Sequence, residues 1–203
     1  MEKAVLKTLI YADIFDFPLK AWEIHKWLIG KKCDLVDVEK ALSRLIKKKK
    51  VVYKNDLFVL TGREKLNYKR KKGSEFIQKN LKKVQLIVNS IKLIPWVKMV
   101  GICGDWSMKK VSKNDVVKLL VVTEENKLGT SKRIIETVLN GMEKVCLGKI
   151  VEKTNIEYEE KNLYSAHAAL QMQLIWQKDK TYTKYLIDNS WAFKFLPNWT
   201  TSD

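Results

Sequence analysis

The sequence contains little cysteine, proline or glycine. Cysteine is abundant in disulfide-rich and many zinc-binding proteins, and proline and glycine are abundant in low-complexity linkers. The 203 residues include three cysteines, three prolines and eight glycines. Cys33, Cys103 and Cys146 are odd in number and far apart, so their spacing matches neither a disulfide framework nor a structural zinc site. Thiols of this kind are typical of a reducing compartment, which predicts a cytoplasmic protein. The scarcity of glycine and proline also argues against a low-complexity linker.

Long hydrophobic runs are absent as well. The apolar run at residues 119–122 is far shorter than the ~20 residues that cross a bilayer. The N-terminal segment carries Asp13 and Asp16 and has no small-residue cleavage site, so it does not resemble a secretory signal. We therefore expect neither a membrane span nor a membrane partner.

Acidic residues are scarce in the first half of the chain. Residues 1–100 contain 24 basic and 10 acidic side chains, whereas residues 101–203 contain 15 and 13. The formal net charge of +16 therefore lies almost entirely in one half. Such a local excess indicates a local function, such as a nucleic-acid contact, rather than general solubility.

Three helices followed by a β-hairpin are predicted within residues 1–62. Apolar residues at three-to-four spacing predict helices over residues 3–15 and 20–29, and a third helix that begins after Asp34. The Asp34 side chain is expected to cap that third helix. The β-rich segment 51–60, with a polar turn at its centre, predicts a hairpin. This order is typical of a winged helix-turn-helix, in which the third helix lies in the major groove and the hairpin contacts the phosphate backbone.

The third helix combines an inward apolar stripe with an outward basic stripe. The expected inward residues are Leu35, Val38, Leu42, Leu45 and Ile46. The outward stripe leads into a lysine cluster at residues 47–50, and a second basic run follows at residues 69–72. The predicted nucleic-acid-binding residues are Lys40, Arg44, Lys47, Lys48, Lys49, Lys50, Lys54, Lys69, Arg70, Lys71 and Lys72.

These basic residues predict how a nucleic acid would be held. Lysine and arginine at phosphates release condensed counterions, so the predicted binding is sensitive to salt. The outward stripe has no Asn or Gln, so base readout would rest on Lys40 and Arg44, which is a thin basis for sequence specificity. Two alternatives stay open: a lysine-rich face that is merely solvated, and a basic half that binds an acidic protein partner.

A mixed domain of strands and helices is predicted to follow a connecting helix. The connector covers residues 63–94, and the second domain covers residues 95–203. Strands are predicted over residues 96–103, 115–123 and 149–158, and helices over residues 131–145, 163–176 and 181–195. Ser131 is expected at a helix N-cap. The predicted fold class is α+β: a winged helix-turn-helix followed by a mixed sheet flanked by helices.

Two stretches of the second half, LIPWVKMVGICGDWSM and NDVVKLLVVT, carry a family resemblance. They resemble the core of the nucleotidyltransferase-like domains of the DNA polymerase β superfamily. The resemblance extends to LIYADIFDFPLKAWEIHKWLIG near the N-terminus and to NLYSAHAALQM and NSWAFKFLPN near the C-terminus. In that family a strand ends in Gly-Ser, where polar groups hold a triphosphate, and the next strand carries Asp-x-Asp, whose carboxylates bind metal ions. The resemblance therefore implies nucleotidyl transfer with Mg²⁺ and a nucleoside triphosphate.

The acidic pair of that family is missing from this chain. Gly104 stands at the glycine of the family, but Asp105 stands where the serine is expected. Alignment of the apolar strand residues places Val116 and Lys118 at the two aspartate positions, and Asp115 projects from the opposite face. A lysine ammonium repels a divalent cation and cannot be its ligand. We therefore predict no catalytic residue, no metal site and no cofactor.

The sequence thus predicts a non-catalytic protein that binds nucleic acid or regulates, a pseudoenzyme built on a degenerate nucleotidyltransferase domain. A remnant nucleotide site is predicted at Gly104, Asp105, Ser107 and Lys118. An active metal-dependent nucleotidyltransferase, with Mg²⁺ and a nucleoside triphosphate, remains an alternative, as does an adaptor for an acidic partner. The degenerate domain would then serve a homodimer or a protein partner.

Overall fold

The computed structural model describes residues 1–104, 116–142 and 144–201, except the side chains of residues 67–69 and 71–80. Across these residues the fold is α+β, with seven α-helices, a two-stranded hairpin and a four-stranded mixed sheet packed with helices. None of the helices in this part of the chain is long and apolar enough to traverse a bilayer. Two compact units divide the chain: Met1–Lys72 with Trp191–Asp203, and Gly73–Ser190.

The first unit contains the predicted order of three helices and a hairpin. Its elements are α1 (Glu2–Ile14), α2 (Ala21–Lys26), α3 (Leu35–Lys47), β1 (Val51–Lys54) and β2 (Leu57–Leu60). Their apolar residues form one core, which includes Val5, Leu9, Ile24, Leu28, Val38, Leu42, Leu45 and Val51. The apolar face of α3 packs on α1, α2 and β1, so the opposite face of α3 is left to solvent.

The end of α2 and the N-cap of α3 differ from the prediction. Helix α2 ends at Lys26 rather than at residue 29, because the N–H of Leu28 turns back to the carbonyl of His25 and Gly30 then reverses the chain with a φ of +70°. Asp34 occupies the N-cap position of α3, but its side chain accepts no capping hydrogen bond from the described residues. The capping prediction is therefore wrong in its chemistry, although right in its position.

The buried stripe of α3 is narrower than predicted. Its members are Val38, Ala41, Leu42 and Leu45. Leu35 and Ile46 are 36% and 38% exposed, because a rotation of about 100° per residue puts them on one flank of the stripe rather than at its centre.

The turn of the hairpin follows from its two central residues. Asn55 and Asp56 adopt φ angles of +54° and +63°, which short polar side chains tolerate better than most residues do. A two-residue turn of this kind matches the right-handed twist of the strands, and β1 pairs with β2 from Val51↔Leu60 to Lys54↔Leu57. Leu19 adds a single antiparallel bridge to Phe58 on the outer side of β2.

The second unit is built on a four-stranded sheet. Helix α4 (Leu66–Ile91) begins in the first unit, and its residues from Gly73 onward belong to the second. The remaining elements are β3 (Val97–Cys103), β4 (Val117–Thr123), α5 (Leu128–Leu139), β5 (Val145–Glu152), α6 (Leu163–Gln171), β6 (Gln173–Gln177) and α7 (Thr181–Asp188). The strand order is β5-β4-β3-β6, in which β4 and β5 are parallel and the other pairs are antiparallel.

Apolar residues cover both faces of this sheet. Val117, Leu119 and Val121 face a core that is completed by the second half of α4 and by α5. Leu120 and Val122 face a smaller core around Tyr185 of α7. In β3 the expected alternation fails, because a bulge between Val97 and Met99 puts Val97 on the same side as Val100.

Three further predictions for the second half are wrong. Residues 173–177 form the edge strand β6 and not the end of a helix, because they pair with β3. Strand β5 begins at Val145 rather than at residue 149, alongside β4. Ser131 lies inside α5 rather than at its N-cap, where its buried hydroxyl bonds to Trp96 Nε1 at 2.7 Å and to Thr123 Oγ1 at 3.0 Å.

The end of the chain also differs from the predicted division, which kept residues 95–203 together. Helix α7 stops at Asp188, and residues from Trp191 onward pack with the first unit. The carbonyl of Phe195 accepts a hydrogen bond from the N–H of Gly30 at 2.7 Å. Gly30 lies in the connection between α2 and α3. The C-terminal segment therefore helps to fix the position of the chain that leads into α3.

Candidate functional site

The exposed cations of α3 and β1 form one candidate site. We call Lys40, Arg44, Lys47, Lys48, Lys49, Lys50 and Lys54 the basic surface; every one of these residues is exposed. Lys40 and Lys47 lie on the helix face opposite Val38 and Leu45, with Arg44 beside them, because about 3.6 residues complete each turn. The structure therefore brings together seven of the eleven residues predicted to contact nucleic acid.

Backbone hydrogen bonds fix the end of α3, where the lysine cluster lies. The N–H of Lys49 donates to the carbonyl of Ile46 at 2.8 Å, and the N–H of Lys50 donates to the carbonyl of Leu45 at 3.0 Å. This pair of bonds is a Schellman ending, and Lys49 takes its left-handed position with a φ of +54°. Thr61, just after the hairpin, donates its hydroxyl to the carbonyl of Lys49 at 2.8 Å. The lysines therefore project from a fixed backbone.

A carboxylate approaches the basic surface at one edge. Glu2 pairs with Lys48 at 2.6 Å, and this hydrogen bond holds the pKa of Glu2 below its ordinary value. Among the residues whose side chains are described, Lys40, Lys47 and Lys50 take part in no ion pair. Three of the seven cations on this surface are therefore not neutralised by a described carboxylate.

The second basic run, at residues 69–72, has a different role where its side chains are described. Arg70 is only 9% exposed, and its guanidinium donates to Glu23 Oε1 at 2.6 Å and to the carbonyl of Pro18. It also lies over the ring of Phe17, 4.5 Å from the ring centre. The structure therefore places Arg70 inside the first unit as a tie between α4 and the start of α2. The side chains of Lys69, Lys71 and Lys72 lie outside the described residues.

The end of the second unit's sheet is the other candidate site. Lys118 of β4 is exposed and sits directly between Cys103 of β3 and Cys146 of β5, which are its cross-strand partners. The three side chains share one face of the sheet, because directly paired residues project to the same side. The position that the resemblance assigns to an acid therefore carries an ammonium flanked by two thiols.

Two glycines shape this end of the sheet. Gly104 follows β3 with a φ of +73°, a conformation that glycine adopts most readily. Gly148 lies at a register shift in β5, where an added Cβ would be 2.8 Å from the Cβ of Lys118 and 3.3 Å from Cys103 Sγ. The Cys103 thiol donates to the carbonyl of Lys118 at 3.4 Å, and burial raises the pKa of this thiol despite the nearby ammonium. Cys103 is therefore protonated at neutral pH.

A divalent cation at this end of the sheet would need carboxylate, imidazole or thiolate donors. Within residues 1–104, 116–142 and 144–201 no three His, Cys, Asp or Glu side chains converge as a metal site. Val116, at the first aspartate position of the family, is 40% exposed. Asp105, Ser107 and Asp115 lie outside the described residues. Of the four remnant-site residues, the structure thus places Gly104 and Lys118 together.

Sequence reasoning missed Asn198, which is 8% exposed in the first unit. Its amide nitrogen donates to the carbonyls of His25 and Lys31, both at 3.1 Å, and its amide oxygen accepts from the N–H of Cys33 at 3.0 Å. Asn198 thereby satisfies three backbone groups of the connection between α2 and α3. No local pattern identifies this role, because the partners are about 165 residues away in the chain.

The chain was compared with protein-family models and with curated proteins. No protein-family model matches the chain. No curated protein matches it either.

Proposed function

We propose that the protein binds nucleic acid through the basic surface, with the first unit acting as a winged helix-turn-helix. The observation that carries the proposal is the cluster of seven exposed cations on α3 and β1, which includes Lys40 and Lys47 without an ion pair among the described side chains. In a winged helix these elements are the ones that meet a duplex. Displacement of counterions by this cluster would supply the affinity.

The packing of the first unit supports this interpretation. The hydrophobic core fixes α3 by Val38, Leu42 and Leu45, so the opposite face stays available to a ligand. The Schellman ending and Thr61 hold the backbone of the lysine cluster, so little backbone conformational entropy is lost when the surface binds.

Fluorescence anisotropy of a labelled 20-base-pair duplex, titrated with the full chain at about 0.1 M salt, tests the proposal. In the variant Arg44→Ala/Lys47→Ala the affinity should fall about tenfold or more, because two phosphate contacts are lost. The matched control is Lys132→Ala/Arg133→Ala, which removes the same two charge types from exposed positions of α5. Its affinity should stay within about twofold of the parent protein.

Two results would reject the proposal. One is an equal loss of affinity in both variants, which would mean that only net charge matters. The other is no binding of duplex or single-stranded nucleic acid by the parent protein at low salt. In that second case an acidic protein becomes the better candidate for the basic surface.

For the second unit we propose a nucleotidyltransferase-like domain that does not catalyse. The mixed sheet, the glycine after β3 and the exposed Lys118 on β4 support this interpretation, because an ammonium stands where a metal ligand is needed. Incubation with each α-labelled nucleoside triphosphate and Mg²⁺ or Mn²⁺ should give no incorporation into protein, nucleic acid or small molecules. Incorporation that EDTA abolishes would show that the domain is an enzyme.

A further inference from the structure

The two halves of α3 differ in charge. The first half presents Asp37, Glu39 and one cation, Lys40, to solvent, and Asp34 stands exposed at its N-cap, so acids outnumber bases there. The second half presents Arg44 and Lys47 and leads into three further exposed lysines. Acids at the start and bases at the end of a helix also interact favourably with the helix dipole. The same charges still attract or repel a charged ligand that approaches the helix.

The acidic side chains lie on both flanks of the outward face. Val36, Lys40, Ser43 and Lys47 form the row opposite the buried stripe, at about 100° of rotation per residue. Relative to this row Asp37 lies on one flank and Glu39 on the other. A helix that lies deep in a major groove has a phosphate strand on each side. The first half of α3 would therefore bring a carboxylate towards each strand and be repelled by both.

The second half of α3 has the opposite character. Arg44 and Lys48 lie on the same flank as Asp37 but two to three turns later, and the chain then continues through Lys49 and Lys50 into β1. This end of the helix, the connection to β1 and β1 itself carry six exposed cations: Arg44, Lys47, Lys48, Lys49, Lys50 and Lys54. A duplex is therefore attracted to the end of α3 and to the hairpin, and away from the start of α3.

Single-stranded nucleic acid fits this surface less well. Proteins that bind single strands stack the bases on exposed aromatic rings. The aromatic ring within the hairpin that is mostly exposed, Tyr53, packs on Phe58 with ring centres 4.7 Å apart, and its hydroxyl bonds to Asp56 at 3.2 Å. The hairpin therefore carries one mostly exposed ring, held by its neighbours, and not the series of rings on which successive unpaired bases stack.

We infer that the protein contacts the phosphate backbone of a nucleic-acid duplex with the end of α3 and the hairpin, independently of base sequence, while the first half of α3 stays out of the groove. This inference rests on the proposed function and specifies its ligand. It also departs from the usual docking of such a helix, in which the N-terminal residues read base edges.

Two lysine pairs at opposite ends of α3 provide the test. Lys47→Gln/Lys50→Gln removes two charges from its end, and Lys31→Gln/Lys32→Gln removes two exposed charges just before its start. Both variants have the same net charge, and neither changes Lys49, whose backbone is left-handed. Dissociation constants are measured between 50 and 200 mM salt for at least ten duplexes of unrelated sequence, and for one single strand of equal length.

We expect the Lys47/Lys50 variant to lose about tenfold or more in affinity and the slope of log affinity against log salt to decrease by about 2, since each contact contributes about 0.9. The Lys31/Lys32 variant should stay within about threefold, with its slope almost unchanged. The parent protein should bind all duplexes within about threefold and the single strand more weakly.

Other outcomes distinguish a failure of the inferred docking from a failure of the proposed nucleic-acid binding. Duplex binding with a larger loss in the Lys31/Lys32 variant, or with a preference of a hundredfold for one sequence, would overturn the docking but leave nucleic-acid binding intact. Equal or tighter binding of the single strand would overturn the choice of ligand. Absence of binding to every nucleic acid would overturn both.

Discussion

The basic surface of the first unit and Lys98 of the second unit use positive charge in opposite ways. In the first unit the basic surface projects into solvent on a fixed backbone. In the second unit the side chain of Lys98 is only 9% exposed and pairs with Glu124 at 2.7 Å and with Asp179 at 2.8 Å. These two hydrogen bonds raise the pKa of Lys98 above its ordinary value. The difference shows that a lysine's role is set by the carboxylates that the fold brings to it, and not by its residue type.

The same contrast exists within the first unit between two arginines. Arg44 is exposed on α3, whereas Arg70 is buried against Glu23, which is itself 7% exposed. Composition treats the two arginines alike. Three experiments distinguish residues that stabilise the fold from cations that are available to bind a ligand. They are given in decreasing order of the expected change in the free energy of unfolding.

The largest effect is expected at Arg70. The change Arg70→Ala leaves the Glu23 carboxylate buried without its cation and should lower the free energy of unfolding by about 3–5 kcal/mol. Arg44→Ala, at an exposed position, should change it by less than about 0.5 kcal/mol. Urea denaturation of both variants measures the difference. The contrast between the two arginines would be broken if Arg70→Ala unfolded at the same urea concentration as the parent protein.

The second largest effect is expected at His167 in the second unit. Acidification should lower the contribution of this residue to the free energy of unfolding by about 3 kcal/mol. His167 of α6 is 5% exposed, and burial lowers its pKa to about 4 from the ordinary value of 6.5. Between these values the unfolded chain binds a proton that the folded chain does not. The contribution of His167 to the free energy of unfolding should therefore fall by about 1.4 kcal/mol per pH unit as the pH is lowered from about 6.5 to about 4, and this contribution should change no further below that.

The variant His167→Gln isolates this contribution from the titration of carboxylates. Its free energy of unfolding should lie below that of the parent protein at pH 7, where neutral His167 is in its preferred state, and the difference should shrink or reverse by pH 4.5. Urea denaturation at four pH values gives both curves. Parallel curves over this range would show that His167 is not kept neutral by the fold.

The smallest effect is expected at Lys49, where stability and binding should move in opposite directions. Glycine is favoured over lysine at a φ of +54°, so Lys49→Gly should raise the free energy of unfolding by about 1 kcal/mol. It should also weaken duplex binding by about two- to fivefold, because one phosphate contact is lost. Lys50→Gly is the control, since it removes the same charge at a position without a positive φ. A gain in stability for both variants would remove the backbone explanation.

The sequence was most informative where a feature is local. The apolar spacing in residues 35–47 predicted α3, and the turn at Asn55 and Asp56 predicted the hairpin, because both signals depend on neighbours along the chain. Residues 173–176 lie in the helix predicted over residues 163–176, but a short apolar run of this kind fits either a helix or a strand. Their pairing with β3, which decides between the two, is a contact with a distant segment.

The candidate sites show the same limit. The lysines of the basic surface could be named from the sequence, and their exposure agrees with the predicted outward stripe. The sequence did not distinguish Arg70 from them, because the proximity of Glu23 and Phe17 to Arg70 is a contact between segments of the first unit that lie about 50 residues apart. Asn198 was missed for the same reason.

The sequence alone determined the excess of positive charge in the first half, the helices and hairpin that carry it, and the lysine at position 118. These properties depend on residue type and on local periodicity. Only the tertiary structure decided which cations are neutralised, and that the last residues of the chain secure the connection before α3. The physical reason is that burial, ion pairing and hydrogen bonding arise between segments far apart in sequence, and their energies depend on distances that only the folded chain defines.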